Sequence, residues 1–228
     1  MHAVVIPFRG PASGKSRLAA GISDAARRQI ARAMFQHVLN VACAAVRAQN
    51  VLVVTGSRTA ANIARRCGAT VLRETISDHN AAVAQAVAHL RTRKFTTVAI
   101  VSADLPLLKP SDLAALEQCA RGGRLAIATD KGGRGTNALA MPLSLGFDFH
   151  FGPASLFRHR LEARQRGVQF RLVHAPGLTD DVDTPDDLKL LAHPAALCTL
   201  PTVGRLACSQ AVWTNAALTV AVSGEACT

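Results

Sequence analysis

Two rhythms of apolar and polar residues run along this chain, and the points where one gives way to the other mark its elements. Short runs rich in β-branched and aliphatic residues predict strands at His2 to Phe8, Val51 to Thr55, Thr70 to Leu72, from Val98, Leu125 to Thr129, Asn137 to Met141 and Val168 to His174. Between them, apolar positions return at helical spacing from Ser23 to Ala48, Ala60 to Cys67, Asn80 to Leu90, Ser111 to Arg121 and Ser155 to Gln165. In the first of these, Ile30, Met34, Val38 and Val41 form one apolar stripe. A last helix follows Thr184 and closes near Ala192. Strands alternating with helices predict a three-layer α/β/α sandwich, Rossmann-like, with a mostly parallel sheet and right-handed crossovers.

After His193-Pro194 the pattern fades. The stretch to Thr228 carries only Arg205 and Glu225 as charged residues and holds the single Trp, Trp213. The expectation is one domain over residues 1–192 and a C-terminal extension, 193–228, that is loosely ordered or covers an apolar patch.

The run Val98-Ala99-Ile100-Val101-Ser102-Ala103-Asp104 is continuously apolar until its end, as a strand buried on both faces would be. It delivers Asp104 to the carboxyl edge of the sheet, where open α/β sheets bind ligands. Further on stands Asp181-Val182-Asp183-Thr184-Pro185-Asp186-Asp187-Leu188. Here a bend at Thr184-Pro185 is expected to turn both carboxylates to one side, with Thr184 as helix N-cap. An acid pair at such a junction suits Mg²⁺ held against a polyphosphate, and Asp104, Asp181 and Asp183 are the candidate ligands. The competing reading is an acidic turn that only caps a helix.

After the first strand comes Arg9-Gly10-Pro11-Ala12-Ser13-Gly14-Lys15-Ser16-Arg17-Leu18. It is one residue short of a Walker A loop, with only three residues between Gly10 and Gly14. A P-loop helix would start at Lys15-Ser16, whereas Ser23-Asp24 carries the start signal. The loop is therefore expected to lie extended over phosphates, with Lys15 and Arg17 as its cations. A P-loop-like small-molecule kinase remains the alternative.

Composition narrows the field. The 228 residues suffice for one α/β domain, and 49% hydrophobic against 18% charged residues marks a globular chain. No stretch is apolar over the roughly 20 residues a membrane span needs. The segment from Met1 to Pro7 lacks the charged start of a secretory signal, so a cytoplasmic location is expected. A net charge of +11 invites nucleic acid, but the arginines are scattered and aromatics make up only 4%, with no Tyr for stacking. An anionic small molecule fits better than a non-enzymatic anion- or nucleic-acid-binding module. The six cysteines show no CxxC or zinc-like spacing.

Taken together, the Lys15-Ser16-Arg17-Leu18 loop, Ala103-Asp104-Leu105-Pro106-Leu107, Gly135-Thr136-Asn137-Ala138-Leu139, Phe151-Gly152-Pro153-Ala154-Ser155 and Asp181-Val182-Asp183-Thr184-Pro185 resemble one family in collinear order. It is the 2-phospho-L-lactate guanylyltransferase family of coenzyme F420 biosynthesis, within nucleotidyltransferases of glycosyltransferase-A-like, nucleotide-diphospho-sugar transferase-like fold. The resemblance covers about residues 1–192. It implies transfer of GMP from GTP to 3-phospho-D-glycerate, phosphoenolpyruvate or 2-phospho-L-lactate, with release of diphosphate. It further implies Asp104, Asp181 and Asp183 as metal ligands, and Lys15, Arg17 and Asn80 at GTP. Lys15, Asp104 and Asp183 are implied as the catalytic set. Thr136, Gly152 and Ser155 match positions holding the phosphorylated acid.

The residue inventory suits that chemistry. A phosphate nucleophile is already anionic at pH 7, so no activating Ser-His or Cys-His pair is needed. The start of the helix at Ser155 is expected to offer N–H groups to the acid. His150, just before Phe151, is a candidate partner for a substrate hydroxyl, which leans the choice of acid slightly toward 3-phospho-D-glycerate. A homodimer stays open.

Overall fold

The computed structural model describes residues 2–10, 18 and 22–192. Seven strands form one sheet: β1 (His2–Pro7), β2 (Val51–Thr55), β3 (Thr70–Arg73), β4 (Thr97–Val101), β5 (Leu125–Ala128), β6 (Ala138–Pro142) and β7 (Phe170–Leu172). Their spatial order is β3-β2-β1-β4-β6-β5-β7. All neighbouring pairs are parallel except those of β6, which runs antiparallel to both β4 and β5. Helices α1 (Asp24–Ala45), α2 (Arg58–Arg66), α3 (His79–Arg91), α4 (Pro110–Ala120), α5 (Ser155–Gln165) and α6 (Pro176–Thr179) complete the chain, with a short 3-10 turn at Ala48–Asn50 and another over Pro185–Ala192.

The central strands β1, β2 and β4 are buried along nearly their whole length, because both faces are covered. Side chains that alternate along a strand enter opposite layers. Val4, Ile6, Val51 and Val53 face Phe35, Val38, Ala60, Leu113 and Leu116 from α1, α2 and α4. Ala3, Val5, Leu52 and Val54 face Val83, Val87, Leu90, Leu156 and Ala163 from α3 and α5. A third, smaller cluster joins Ile22, Ala26, Ile30 and Met34 to Val182, Leu188 and Leu191. The three-layer expectation holds.

Ser23 caps α1, its side chain accepting the Ala26 N–H at 3.3 Å. The helix therefore begins at Asp24, where the sequence carries its start signal. Three expectations change. The strand expected over Val168–His174 shrinks to Phe170–Leu172 at the sheet edge, where only β5 pairs with it. Its neighbour, the four-residue α6, was not foreseen. The closing helix is 3-10 rather than α.

Candidate active site

Beyond the end of β4 the chain turns, and the Ser102 N–H donates to the Asn137 carbonyl at 2.8 Å. Asp104 follows, and its backbone carbonyl accepts the Val182 N–H at 3.2 Å. That bond joins two segments far apart in sequence. Val182 is fully buried in the third cluster, and Asp181 and Asp183 flank it. Residues two apart in an extended chain share a face, so no bend is needed to bring the acids to one side, contrary to expectation. Burying Val182 is what aims them.

Thr184 stands where the cap was expected, directly before Pro185 opens the 3-10 turn, and its carbonyl accepts the Asp187 N–H at 3.1 Å. The Asp187 carboxylate accepts from the Asp183 N–H (3.1 Å), the Thr184 N–H (2.7 Å) and the Thr184 hydroxyl (2.7 Å). Burial pushes Asp187 up, but these bonds outweigh it and hold its carboxyl below the usual range. Asp187 thus stays ionised and clamps the acidic loop.

Asp104, Asp181 and Asp183 each offer a carboxylate oxygen within 4.8 Å of the others. Three hard oxygen donors at that separation fit a divalent cation of the Mg²⁺, Mn²⁺ or Ca²⁺ kind. The Asn137 amide donates to Asp181 Oδ1 at 3.3 Å and to the Thr179 carbonyl at 3.2 Å, which orients that carboxylate. Burial, then the nearby Asp104 and Asp183 charges, push Asp181 up from 3.8 to about 6. Carboxylates so crowded repel one another until a cation or a proton separates them.

Beside the acids lies a cleft of about 310 Å³ lined by Phe8, Arg9, Met34, His79, Asp104 and Asp183, among others. Arg9 Nε sits 3.3 Å from Glu74, a bond that steadies the guanidinium at the cleft wall. Burial, and then Arg9, hold His79 below its ordinary pKa, so its imidazole is neutral at pH 7. Neither residue stood out in the sequence, where a lone Arg after a strand and a lone His at a helix start carry no pattern. Lys15 and Arg17 lie outside the described residues.

Asn80, expected at GTP, ties the start of α3 to the backbone of Phe151. Its Nδ2 donates to the Phe151 carbonyl at 3.1 Å, and its Oδ1 accepts the Phe151 N–H at 2.7 Å. The Arg134–Thr136 stretch is joined to α5 by a further pair of bonds. The Leu156 N–H donates to the Arg134 carbonyl at 3.1 Å, and Thr136 Oγ1 lies 3.0 Å from His159 Nδ1. Gly152 has φ +118 and Ala154 φ 55, left-handed values that shape a tight entry into α5.

The first amides of α5 are not idle donors as expected. Ser155 N–H goes to the Gly152 carbonyl and Leu156 N–H to that of Arg134, and Ser155 itself is 1% exposed. His150 is also engaged elsewhere: its Nε2 lies 3.4 Å from Glu162, which also pairs with Arg166. The sequence lean built on His150 loses its support.

A structure described as a putative nucleotide-diphospho-sugar transferase from Desulfovibrio desulfuricans G20 superposes with a TM-score of 0.67 at 14% identity, covering 90% of this chain and 96% of that one. That likeness shows the fold, with three acids gathered beyond the end of β4 beside a cleft, and together with the family match that follows it makes the chain a nucleotidyltransferase. The chain belongs to the family described as Guanylyl transferase CofC like, which matches residues 2–196. A phosphoenolpyruvate guanylyltransferase from Chloroflexus aggregans is 32% identical over 83% of this chain and 96% of its own length. A 3-phospho-D-glycerate guanylyltransferase from Phenylobacterium zucineum is 33% identical over 82% of this chain and 88% of its own. Among the described residues, no helix is long and apolar enough to cross a membrane.

Proposed function

We infer that this protein transfers GMP from GTP to the phosphate of a phosphorylated three-carbon acid, as a step of coenzyme F420 biosynthesis. The triad of Asp104, Asp181 and Asp183 beside the cleft carries the reading, with the family supplying the guanylyl group. A phosphate oxygen of the acid attacks the α-phosphorus of GTP, the bond to the bridging β-oxygen breaks, and diphosphate leaves. The task is to hold two polyanions in line, so positioning and charge neutralisation account for the rate. A bound Mg²⁺ would supply Lewis-acid neutralisation of the phosphates, and the three acids would hold it. Arg9 adds positive charge at the cleft wall, and Lys15 and Arg17 are assigned to the triphosphate. Thr136 and Gly152, with Ser155 behind them, are assigned to the acid. Asn80 is assigned a supporting place beside GTP, where its amide keeps one hydrogen and one lone pair.

With His150 engaged by Glu162, the reading does not favour 3-phospho-D-glycerate over phosphoenolpyruvate. The test is GTP and Mg²⁺ incubated with each of the three acids, following diphosphate and the GMP adduct by mass. An adduct with at least one acid is expected. GDP formation, or no turnover with any of them, overturns the reading.

The cation has its own test. Asp181 has a folded-state pKa of about 6 against 3.8 when unfolded, so the folded chain binds that proton more tightly. The stability this group contributes is complete below pH 3.8 and is lost as pH rises through about 6. Mg²⁺ is expected to restore it, raising the melting temperature at pH 7.5 and much less at pH 5, where protons compete. Equal shifts at both pH values would move the cation away from the triad.

A further inference from the structure

His159 is fully buried on α5, and two hydrogen bonds decide which of its nitrogens carries the proton. Its Nε2 lies 3.0 Å from the backbone N–H of His150, a group that can only donate. Nε2 must therefore accept, and in a neutral imidazole the proton then sits on Nδ1. Burial, and then the neighbouring His150, hold the ring's pKa down at about 4, so it is neutral across the working pH range. The rings of Phe147 and Phe151 pack against it at 5.8 and 4.9 Å between centroids, which keeps the ring from flipping.

Nδ1–H thus donates to Thr136 Oγ1 across 3.0 Å. Thr136 is itself 9% exposed, and among the described residues its hydroxyl makes no other hydrogen bond. One lone pair is filled and the hydroxyl hydrogen is left to give. With the other tautomer, Thr136 would spend that hydrogen on His159 and meet an anion with lone pairs alone. Phosphate and carboxylate at pH 7 are acceptors, so the difference decides attraction or repulsion.

We propose that His159 is a positioning residue which holds Thr136 as a hydrogen-bond donor toward the anionic group of the acid substrate. The proposal rests on the reading above that places the acid at Thr136. His159 touches no substrate; it acts through one hydroxyl.

The test uses steady-state kinetics of the full chain with phosphoenolpyruvate and with 3-phospho-D-glycerate. His159→Asn keeps an amide nitrogen near the Nδ1 position and so a donor to Thr136. His159→Gln places its amide near Nε2 and loses that donor. Removing one hydrogen bond to a charged group predicts a rise of about tenfold in KM for the acid in His159→Gln, with KM for GTP unchanged. His159→Asn is expected to recover most of that loss. Thr136→Val should show a similar rise, and His159→Gln should add nothing in the Thr136→Val background. KM does not depend on the fraction of enzyme that folds, so partial misfolding of a variant leaves the comparison intact. Equal KM in the Asn and Gln variants, or additive effects with Thr136→Val, would overturn the role of His159. Thr136→Val without effect on KM for the acid would instead overturn the placement of the acid at Thr136, and the proposal with it.

Discussion

Asp183→Asn is expected to cut guanylyl transfer by on the order of a thousandfold, since several kcal/mol of charge stabilisation depend on a held cation at about 1.4 kcal/mol per tenfold. The substitution keeps size and shape, and Asp183 holds its backbone N–H on Asp187 in either form. Val182 stays buried between its neighbours, so the acidic loop should keep its course. Fold and turnover therefore separate: the circular dichroism spectrum should match wild type while kcat falls. Asp104→Asn should behave alike, because the backbone carbonyl that accepts the Val182 N–H is kept whichever side chain stands there. Asp181→Asn loses a charge but keeps an oxygen for the Asn137 amide, so it too should fold. It also removes crowding from the triad, and in the absence of cation it should melt higher than wild type at pH 7.5. A kcat for Asp183→Asn within a few-fold of wild type would detach the metal from these acids.

The second large effect is one of stability. Phe35 is fully buried on α1, and its ring stacks on Phe8 at 4.3 Å between centroids and 5° between planes. Phe8 in turn lines the cleft. Phe35→Ala removes most of a large side chain from a cluster it shares with strands β1 and β2 and helix α4, so the cavity can collapse only in part. A loss of about 3–5 kcal/mol follows, read as a lower midpoint in urea with an unchanged slope. Phe8 loses its backing at the same time, so KM for GTP should rise in the surviving folded fraction. A loss below about 1 kcal/mol would mean that Phe8 swings into the gap and refills it.

How much of this was readable before folding differs from element to element. Val51–Thr55 and Ser155–Gln165 appear with the limits their patterns set, because a doubly buried strand and a clearly bounded helix announce themselves locally. Val168–His174 reads as a full strand, yet only Phe170–Leu172 pairs, since an edge position offers a single neighbour. The direction of β6 was not readable at all. Ala138-Leu139-Ala140-Met141 is equally apolar either way up, and only its pairing with β4 and β5 orients it.

The site divides along the same line. Asp104, Asp181 and Asp183 were visible in the sequence because ionisable residues placed just after an apolar strand, or paired in a short loop, are costly unless used. Asn137, Asp187, Arg9, His79 and His159 were not, because each matters through a partner it meets only in space. Asn137 orients Asp181, Asp187 holds Asp183, and His159 decides what Thr136 can donate. Local chemistry and periodicity are properties of the chain itself, so residue order alone determined the layers, the acids and the family. Hydrogen bonds between distant segments exist only once Val182 is buried and the strands are paired, so the tertiary structure alone decided how those acids are aimed, clamped and crowded.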